Sequence, residues 1–149
     1  MIPSEKIALI TGASRGIGKA IALTLGKQGI TIIGTSTRAD KAEEISTMLQ
    51  KNGIRGMGVM LNITDTQEKL EAVLASICRD FGHPNILINN AGVAADNLFI
   101  RMKLNDWENI IETNLTGAYR MIQLCIKSML KARWGRIVNI GSVVGSTGN

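Results

Sequence analysis

Three glycines, Gly12, Gly16 and Gly18, directly follow a short apolar run, and a helical pattern begins among them. A strand, a tight turn and a helix in this order bring unpaired backbone N–H groups and the positive end of the helix dipole to the turn. Glycine lets the backbone approach a ligand closely or adopt a positive φ, so the turn suits a phosphate group. The spacing is neither G-x-G-x-x-G nor G-x-x-x-x-G-K-[ST], so the flanking strand and helix are what favour a bound ligand over a purely structural turn.

The elements that must position this turn alternate between strand and helix along the chain. Strands are predicted at about 6–11, 30–35, 56–61, 86–89 and 136–142, and helices at about 17–28, 40–52, 65–81 and 106–133. The strands are apolar with little alternation, as strands buried on both faces are. The alternation of strands and helices along the chain is typical of right-handed βαβ units. We therefore predict one domain over residues 1–149, an α/β fold with a doubly wound, Rossmann-like parallel sheet, helices on both faces and an incomplete C-terminus.

Local signals predict where some of these helices begin and which side they bury. Capping-box patterns at Thr64 and Gln67, and at Asn105 and Glu108, predict the starts of the last two helices. No helix or strand is predicted for residues 144–149. The buried face of the first helix is predicted to contain Ile17, Ala20, Ile21 and Leu25.

Composition excludes several classes of function. The chain is 45% hydrophobic and 19% charged, as a globular domain is, and no apolar run approaches the roughly 18 residues of a membrane span. The net charge of +5 comes with 3% aromatic residues and no adjacent Lys or Arg pair, which argues against nucleic-acid binding. Cys78 and Cys125 are interpreted as buried thiols in a reducing compartment, not as disulfide partners or metal ligands. Because the N-terminus also lacks the form of a signal peptide, we predict a cytoplasmic protein without membrane, nucleic-acid or metal binding.

Polar residues follow every predicted strand at its carboxyl end, where open parallel sheets bind ligands. Besides the glycine turn, these are the stretches 35–38, 62–65, 89–92 and 141–142. Asn, Ser, Thr and Gly are ordinary turn residues, so each stretch alone predicts only a turn. Because all of them lie at one edge of the sheet, together they favour a single elongated ligand.

The stretch Thr35-Ser36-Thr37-Arg38 discriminates between nucleotide cofactors. An acidic residue about 20 positions after the glycines would accept the ribose 2′-hydroxyl of NAD. Hydroxyls and a guanidinium suit a 2′-phosphate instead, and Arg15 could close on the same group, so we predict NADP(H). The nearest acid, Asp40, is interpreted as the start of the next helix. A solvated surface arginine is the alternative for Arg38.

Two motifs together resemble the short-chain dehydrogenase/reductase family over the whole chain. They are Thr11-Gly12-x-x-x-Gly16-x-Gly18 and Asn89-Asn90-Ala91-Gly92. Within that family, the chain is similar to the 3-oxoacyl-[acyl-carrier-protein] reductases of fatty-acid synthesis. The stretches that carry this narrower resemblance are 11–18, 96–103 and 135–145.

The resemblance implies a set of site residues. Asn114 would hold the water of a proton relay, and Ser142 would hydrogen-bond the substrate carbonyl. An ordinary helix asparagine and a strand-end turn residue are the respective alternatives. The residues expected to bind the cofactor are Gly12, Ser14, Arg15, Gly16, Ile17, Gly18, Thr37, Arg38, Asn62, Ile63, Asn90, Ala91 and Gly92.

The resemblance also implies hydride transfer from NADPH to a ketone, with a tyrosine as proton donor and a lysine four residues later. Both are expected after Ser142. The only tyrosine, Tyr119, lies before it and is followed four positions later by Gln123. We therefore expect a fragment that is inactive alone, taken from a protein that reduces 3-oxoacyl-[acyl-carrier-protein]. Another short-chain reductase of a small ketone or sugar, and a non-catalytic NADP-binding protein, remain alternatives.

Two surfaces are expected to bind partners. The long helix that begins at Asp106 and ends near Arg133 is apolar on more than one face, and the family resemblance implies a homotetramer formed through it. Lys131, Arg133 and Arg136 cluster near its end. They could bind the acidic carrier that holds the substrate or could complement the helix dipole.

Overall fold

The computed structural model describes residues 5–148, which form one five-stranded sheet in the order β3-β2-β1-β4-β5. All four strand pairs are parallel. The predicted doubly wound α/β fold is confirmed. The strands are β1 Ile7–Ile10, β2 Thr31–Ser36, β3 Gly56–Met60, β4 Ile86–Asn89 and β5 Arg136–Asn139. The helices are α1 Gly16–Gly26, α2 Ala39–Lys51, α3 Gln67–Phe81, α4 Leu104–Ile111, α5 Ala118–Ala132 and α6 Val144–Thr147, with a 3-10 turn at Phe99–Arg101 and a π-helical segment at Glu112–Gly117.

Helices cover both faces of the sheet because alternate strand residues point to opposite sides. One core joins Leu9 and Leu87 to α3 and α5, for example at Cys125. The other joins Ile10 and neighbouring strand residues to α1 and α2, for example at Leu49. Full burial of each such side chain contributes about 1.5–3 kcal/mol, so the two cores together fix the strand ends that carry the site.

The predicted buried face of α1 is wrong at Ile17 and Ala20. Ile17 is 61% exposed, and small residues take the side of the helix that packs on the sheet. A Cβ atom on Gly26 would lie 2.5 Å from Ile54 Cγ2. The helix therefore packs too closely for a large side chain at that point, and Ile17 is left free to line the site. The buried positions of α1 are Gly18, Ala22 and Gly26.

Both predicted capping boxes are also wrong. The third helix begins at Gln67 after Thr66, because the Thr64 hydroxyl bonds to Asn62 Oδ1 at 3.0 Å instead of capping a helix. The backbone N–H of Thr64 donates to the same oxygen at 3.2 Å, which makes a local turn. The fourth helix begins at Leu104, so Asn105 lies inside its first turn.

The long helix is continuous from 104 to 132 but is not a single α-helix. A π-helical segment, Glu112–Gly117, separates α4 from α5. Arg133, at φ +52°, ends α5 in the left-handed region. None of the helices within residues 5–148 is long and apolar enough to cross a membrane.

Three smaller predictions also differ from the structure. The fifth strand ends at Asn139 rather than at residue 142, and residues 144–147 form a short helix. Cys125 is buried, and burial raises its pKa to about 12. Cys78 is only half-buried, with its Sγ 3.2 Å from His83 Nδ1, and both thiols are free.

Candidate functional site

At the glycine turn, the start of α1 packs closely against the ends of β1 and β4. Gly12 and Gly16 have positive φ angles of 68° and 55°. A Cβ atom on Gly18 would lie 2.4 Å from the carbonyl oxygen of Gly12 and 2.5 Å from Asn90 Nδ2. Arg15 precedes the helix with an extended backbone and no side-chain cap. The first N–H groups of α1 are therefore left without a capping side chain, as an anion-binding helix start requires.

Thr11 and Asn90 hold this turn against the loop after β4. The buried Thr11 Oγ1 accepts hydrogen bonds from the backbone N–H groups of Asn90 (3.0 Å) and Ala91 (2.9 Å). In return, Asn90 Nδ2 donates to the carbonyl oxygens of Thr11 (2.9 Å) and Gly12 (3.0 Å). The Asn90 amide nitrogen is thus used within the protein, which leaves its oxygen for a ligand.

A cavity of about 550 Å³ opens at the carboxyl ends of β1, β2, β3 and β4. Of the thirteen residues predicted to bind a cofactor, all but Gly18 and Arg38 line it. Gly18 lies behind the turn, where it permits the close packing. Five further residues line the cavity. Thr35 and Ser36 belong to the stretch that the sequence predicts to discriminate between cofactors, whereas no sequence pattern indicates Thr113, which the π-helical segment brings there. These five are Thr35, Ser36, Leu61, Val93 and Thr113.

Charge in this cavity is one-sided. None of its sixteen lining residues is acidic, and Arg15 forms no ion pair with residues 5–148. Arg38 instead binds Asp40 through Nε–Oδ1 (2.9 Å) and Nη2–Oδ2 (2.6 Å), at the solvent surface. That hydrogen bond and the guanidinium charge lower the pKa of Asp40. Arg15 is therefore the cation that lines the cavity, and Arg38 lies outside it.

A second cavity, of about 650 Å³, adjoins the first one. Ile17 and the loop 90–93 line both. Asn114 and Ser142, the two candidate catalytic residues, line the second cavity, so the fold brings them together although 28 positions separate them. Tyr119 lies at the same cavity, where its hydroxyl accepts a hydrogen bond from Gln123 Nε2 at 2.6 Å.

Asn114 connects the π-helical segment to the loop after β4. Its Oδ1 accepts from the backbone N–H of Val93 and its Nδ2 donates to the carbonyl of Val93, both at 2.8 Å. A Cβ atom on Gly92 would lie 3.2 Å from Asn114 Oδ1. The Asn114 side chain is exposed and holds the loop that both cavities share, and its catalytic role stays a prediction.

Asn89 and Asn139 form a further polar pair that sequence reasoning missed. Asn89 Nδ2 donates to Asn139 Oδ1 at 2.9 Å, across the registered end of β4 and β5. The buried Asn89 Oδ1 has no hydrogen-bond partner among residues 5–148. The backbone N–H of Ile140 also donates to the Asn89 carbonyl at 2.9 Å, so Asn89 fixes the end of the strand that leads to Ser142.

Comparison with known proteins agrees with this geometry. A family model described as short chain dehydrogenase matches residues 6–149. The chain is 50% identical over 144 residues to the 3-oxoacyl-[acyl-carrier-protein] reductase FabG of Pseudomonas aeruginosa, covering 97% of this chain and 58% of that protein. It is 52% identical to the protein of that name from Haemophilus influenzae and 51% identical to that from Escherichia coli, each over 97% of this chain and 58% and 57% of theirs.

The chain thus spans less than two thirds of the length of these curated relatives. Within that span, the family model covers the glycine turn, the loop after β4, Asn114 and Ser142. Because the parallel sheet, the turn that only glycine fits and the match over nearly all of the sequence agree, the chain belongs to the short-chain dehydrogenase family.

Proposed function

We propose that this chain binds NADP(H) and forms the cofactor-binding part of a reductase that converts 3-oxoacyl to 3-hydroxyacyl groups on an acyl carrier protein. The observation that carries the proposal is the pair of adjoining cavities at one edge of the sheet. One is basic and without an acidic residue, and the other contains Asn114 and Ser142. Relatives named as 3-oxoacyl-[acyl-carrier-protein] reductases at 50–52% identity support the choice of substrate.

The lining of the first cavity supports NADP(H) over NAD(H). Ser36 and Thr37 bring hydroxyl groups to the end of β2, and Arg15 brings a guanidinium to the glycine turn. A carboxylate in this position would repel a 2′-phosphate, and the cavity lining contains none. Asn62 and Ile63, which line the same cavity, would border the adenine.

The second cavity supports reduction of a carbonyl group. When bound, the cofactor supplies the hydride. Ser142 is exposed at the cavity, and its Oγ lies 3.4 Å from the backbone nitrogen of Val144. Its hydroxyl hydrogen would bond the carbonyl oxygen, where negative charge develops as the carbonyl is reduced. Asn114 would hold the loop at Val93 in place. It would also hold the water of the proton relay that the family resemblance implies.

The surface supports the proposed partners. Exposed apolar side chains run along the helical stretch 104–132, as a homotetramer interface would require. Lys131, Arg133 and Arg136 are exposed at its end, and the Arg136 guanidinium lies 5.0 Å from the centre of the Trp134 ring. Such a patch fits an acidic carrier. The exposed apolar residues of the helical stretch 104–132 are Leu104, Trp107, Leu115, Tyr119 and Leu130.

We also propose a cytoplasmic location.

Fluorescence titration with NADPH and NADH tests the cofactor. We expect the 149-residue chain to bind NADPH more tightly than NADH and not to oxidise NADPH with acetoacetyl thioester. Tighter binding of NADH, or steady turnover by this chain, contradicts the proposal.

The substrate is tested in a longer protein that contains the family's tyrosine and lysine after Ser142. Ser142→Ala should lower kcat for acetoacetyl thioester by roughly 100-fold, the scale of losing one donor to a developing oxyanion. Ser146→Ala, a nearby exposed serine outside both cavities, is the matched control. Activity confined to free ketones or sugars would favour another short-chain reductase.

A further inference from the structure

The ion pair between Arg38 and Asp40 lies beside the cofactor cavity. Arg38 lies in the connection between β2 and α2, and Asp40 lies in the first turn of α2. Ser36 and Thr37, which line the cavity, directly precede Arg38. The backbone N–H of Arg38 donates to Ser36 Oγ at 3.4 Å. The backbone of Arg38 therefore lies at the cavity edge. The bidentate hydrogen-bonded pair with Asp40 keeps the Arg38 guanidinium out of the cavity.

A carboxylate and a phosphate compete for the same face of a guanidinium, because both present two oxygens to its parallel N–H donors. The side chains of Arg38 and Asp40 are 69% and 53% exposed, so their pair is of the weak surface kind. A phosphate dianion at Thr37 could displace Asp40, but the carboxylate would remain close to the phosphate and oppose it. The pair should therefore reduce what Arg38 contributes to phosphate binding.

We infer that Asp40 is a specificity-determining residue, which holds Arg38 away from the cofactor and so limits the preference for NADPH over NADH. This inference rests on the proposed function, because it requires a 2′-phosphorylated dinucleotide in the first cavity. Arg15, which forms no ion pair with residues 5–148, supplies the preference that exists while Asp40 holds Arg38.

The test compares dissociation constants of NADPH and NADH for the 149-residue chain and its variants, at about 0.15 M salt, after circular dichroism has shown equal folding. Asp40→Asn should tighten NADPH binding about three- to fivefold, the scale of one released surface pair, and leave NADH within about twofold. The same substitution in an Arg38→Gln background should change NADPH binding by less than about twofold, because only screened repulsion is then removed.

Glu44→Gln is the matched control. It removes the same charge from α2, but Glu44 forms its ion pair with Lys41, at 2.7 Å, and acts on Arg38 only through its charge. We expect less than about a twofold effect on NADPH. An equal gain from Glu44→Gln and Asp40→Asn would make the effect one of net charge and would overturn the inference.

Two further results overturn it: no gain from Asp40→Asn, or an equal gain with and without Arg38. Failure of the proposed function looks different. It appears in the unsubstituted chain, as NADH binding at least as tight as NADPH binding, whereas a clear NADPH preference that Asp40→Asn leaves unchanged refutes this inference alone.

Discussion

Replacing Thr11 by valine should destabilise the glycine turn more than replacing the equally buried Thr31 does. Valine keeps the shape of the side chain but removes the oxygen that accepts from the N–H groups of Asn90 and Ala91 at 3.0 and 2.9 Å. Leaving a buried donor without an acceptor costs about 1–3 kcal/mol. Both bonds are partly buried, so we expect the free energy of unfolding to fall by about 2–4 kcal/mol.

Urea unfolding followed by circular dichroism measures this loss, and Thr31→Val is its control. Thr31 is 3% exposed in β2, and its hydroxyl makes no hydrogen bond within residues 5–148. Its replacement should cost less than about 1 kcal/mol. NADPH binding should weaken in Thr11→Val even where the chain remains folded, because two of the four hydrogen bonds that connect Thr11 and Gly12 to Asn90 and Ala91 are lost. Equal costs for Thr11→Val and Thr31→Val would refute the reasoning.

Three other changes follow from the same geometry. Gly18→Ala should abolish nucleotide binding and lower the free energy of unfolding by about 1–3 kcal/mol or more, because the added methyl group overpacks the turn. Gly141→Ala should be tolerated, because a Cβ there meets nothing within 4 Å. Nucleotide titration and urea unfolding check both variants. Asn114→Ala removes two 2.8 Å bonds, so hydrogen exchange at the Val93 amide should accelerate, and exchange as slow as in the unsubstituted chain would contradict its holding role. Burial raises the pKa of Cys125 from 9.0 to about 12, so between these two values the thiol ionises in the unfolded chain but not in the folded one. The free energy of unfolding should therefore fall in this range, by up to about 1.4 kcal/mol per pH unit. Cys125→Ala should lack this component when unfolding is compared at pH 8 and pH 10.5.

Most of the fold follows from local features of the sequence. The strands are short, apolar runs, and glycines mark several of the turns between them, so the predicted bounds differ from the structure by few residues except in β5. The position of the site also follows, since parallel strands bring their carboxyl ends to one edge whatever the helices do. That is why residues as distant as Gly12 and Asn90 could be placed together.

The differences come from interactions that residue patterns do not display. The capping box at Thr64 fails because the Asn62 side chain competes for the hydroxyl. Ile17 faces the site because the small residues at 18, 22 and 26 take the sheet side. Arg38 lies outside the cavity because Asp40 binds it, and the acid two positions after the arginine was the available signal. The role of the thirteen cofactor residues in binding stays a prediction.

The π-helical segment lets the long helix hold one residue more than a regular α-helix would, while the stretches on either side keep their faces. A π-helix bonds residue i to i+5 where an α-helix bonds i to i+4, so its turn contains about one more residue. Removing one residue from Glu112–Gly117 would therefore let this stretch close as an α-helix and leave Met121, Cys125 and Met129 in the core. Removing one residue near the start of α5 would instead rotate the buried residues that follow by about 100°, because nothing there absorbs the change. A deletion inside the segment should thus cost much less stability than one a few residues later in the same helix.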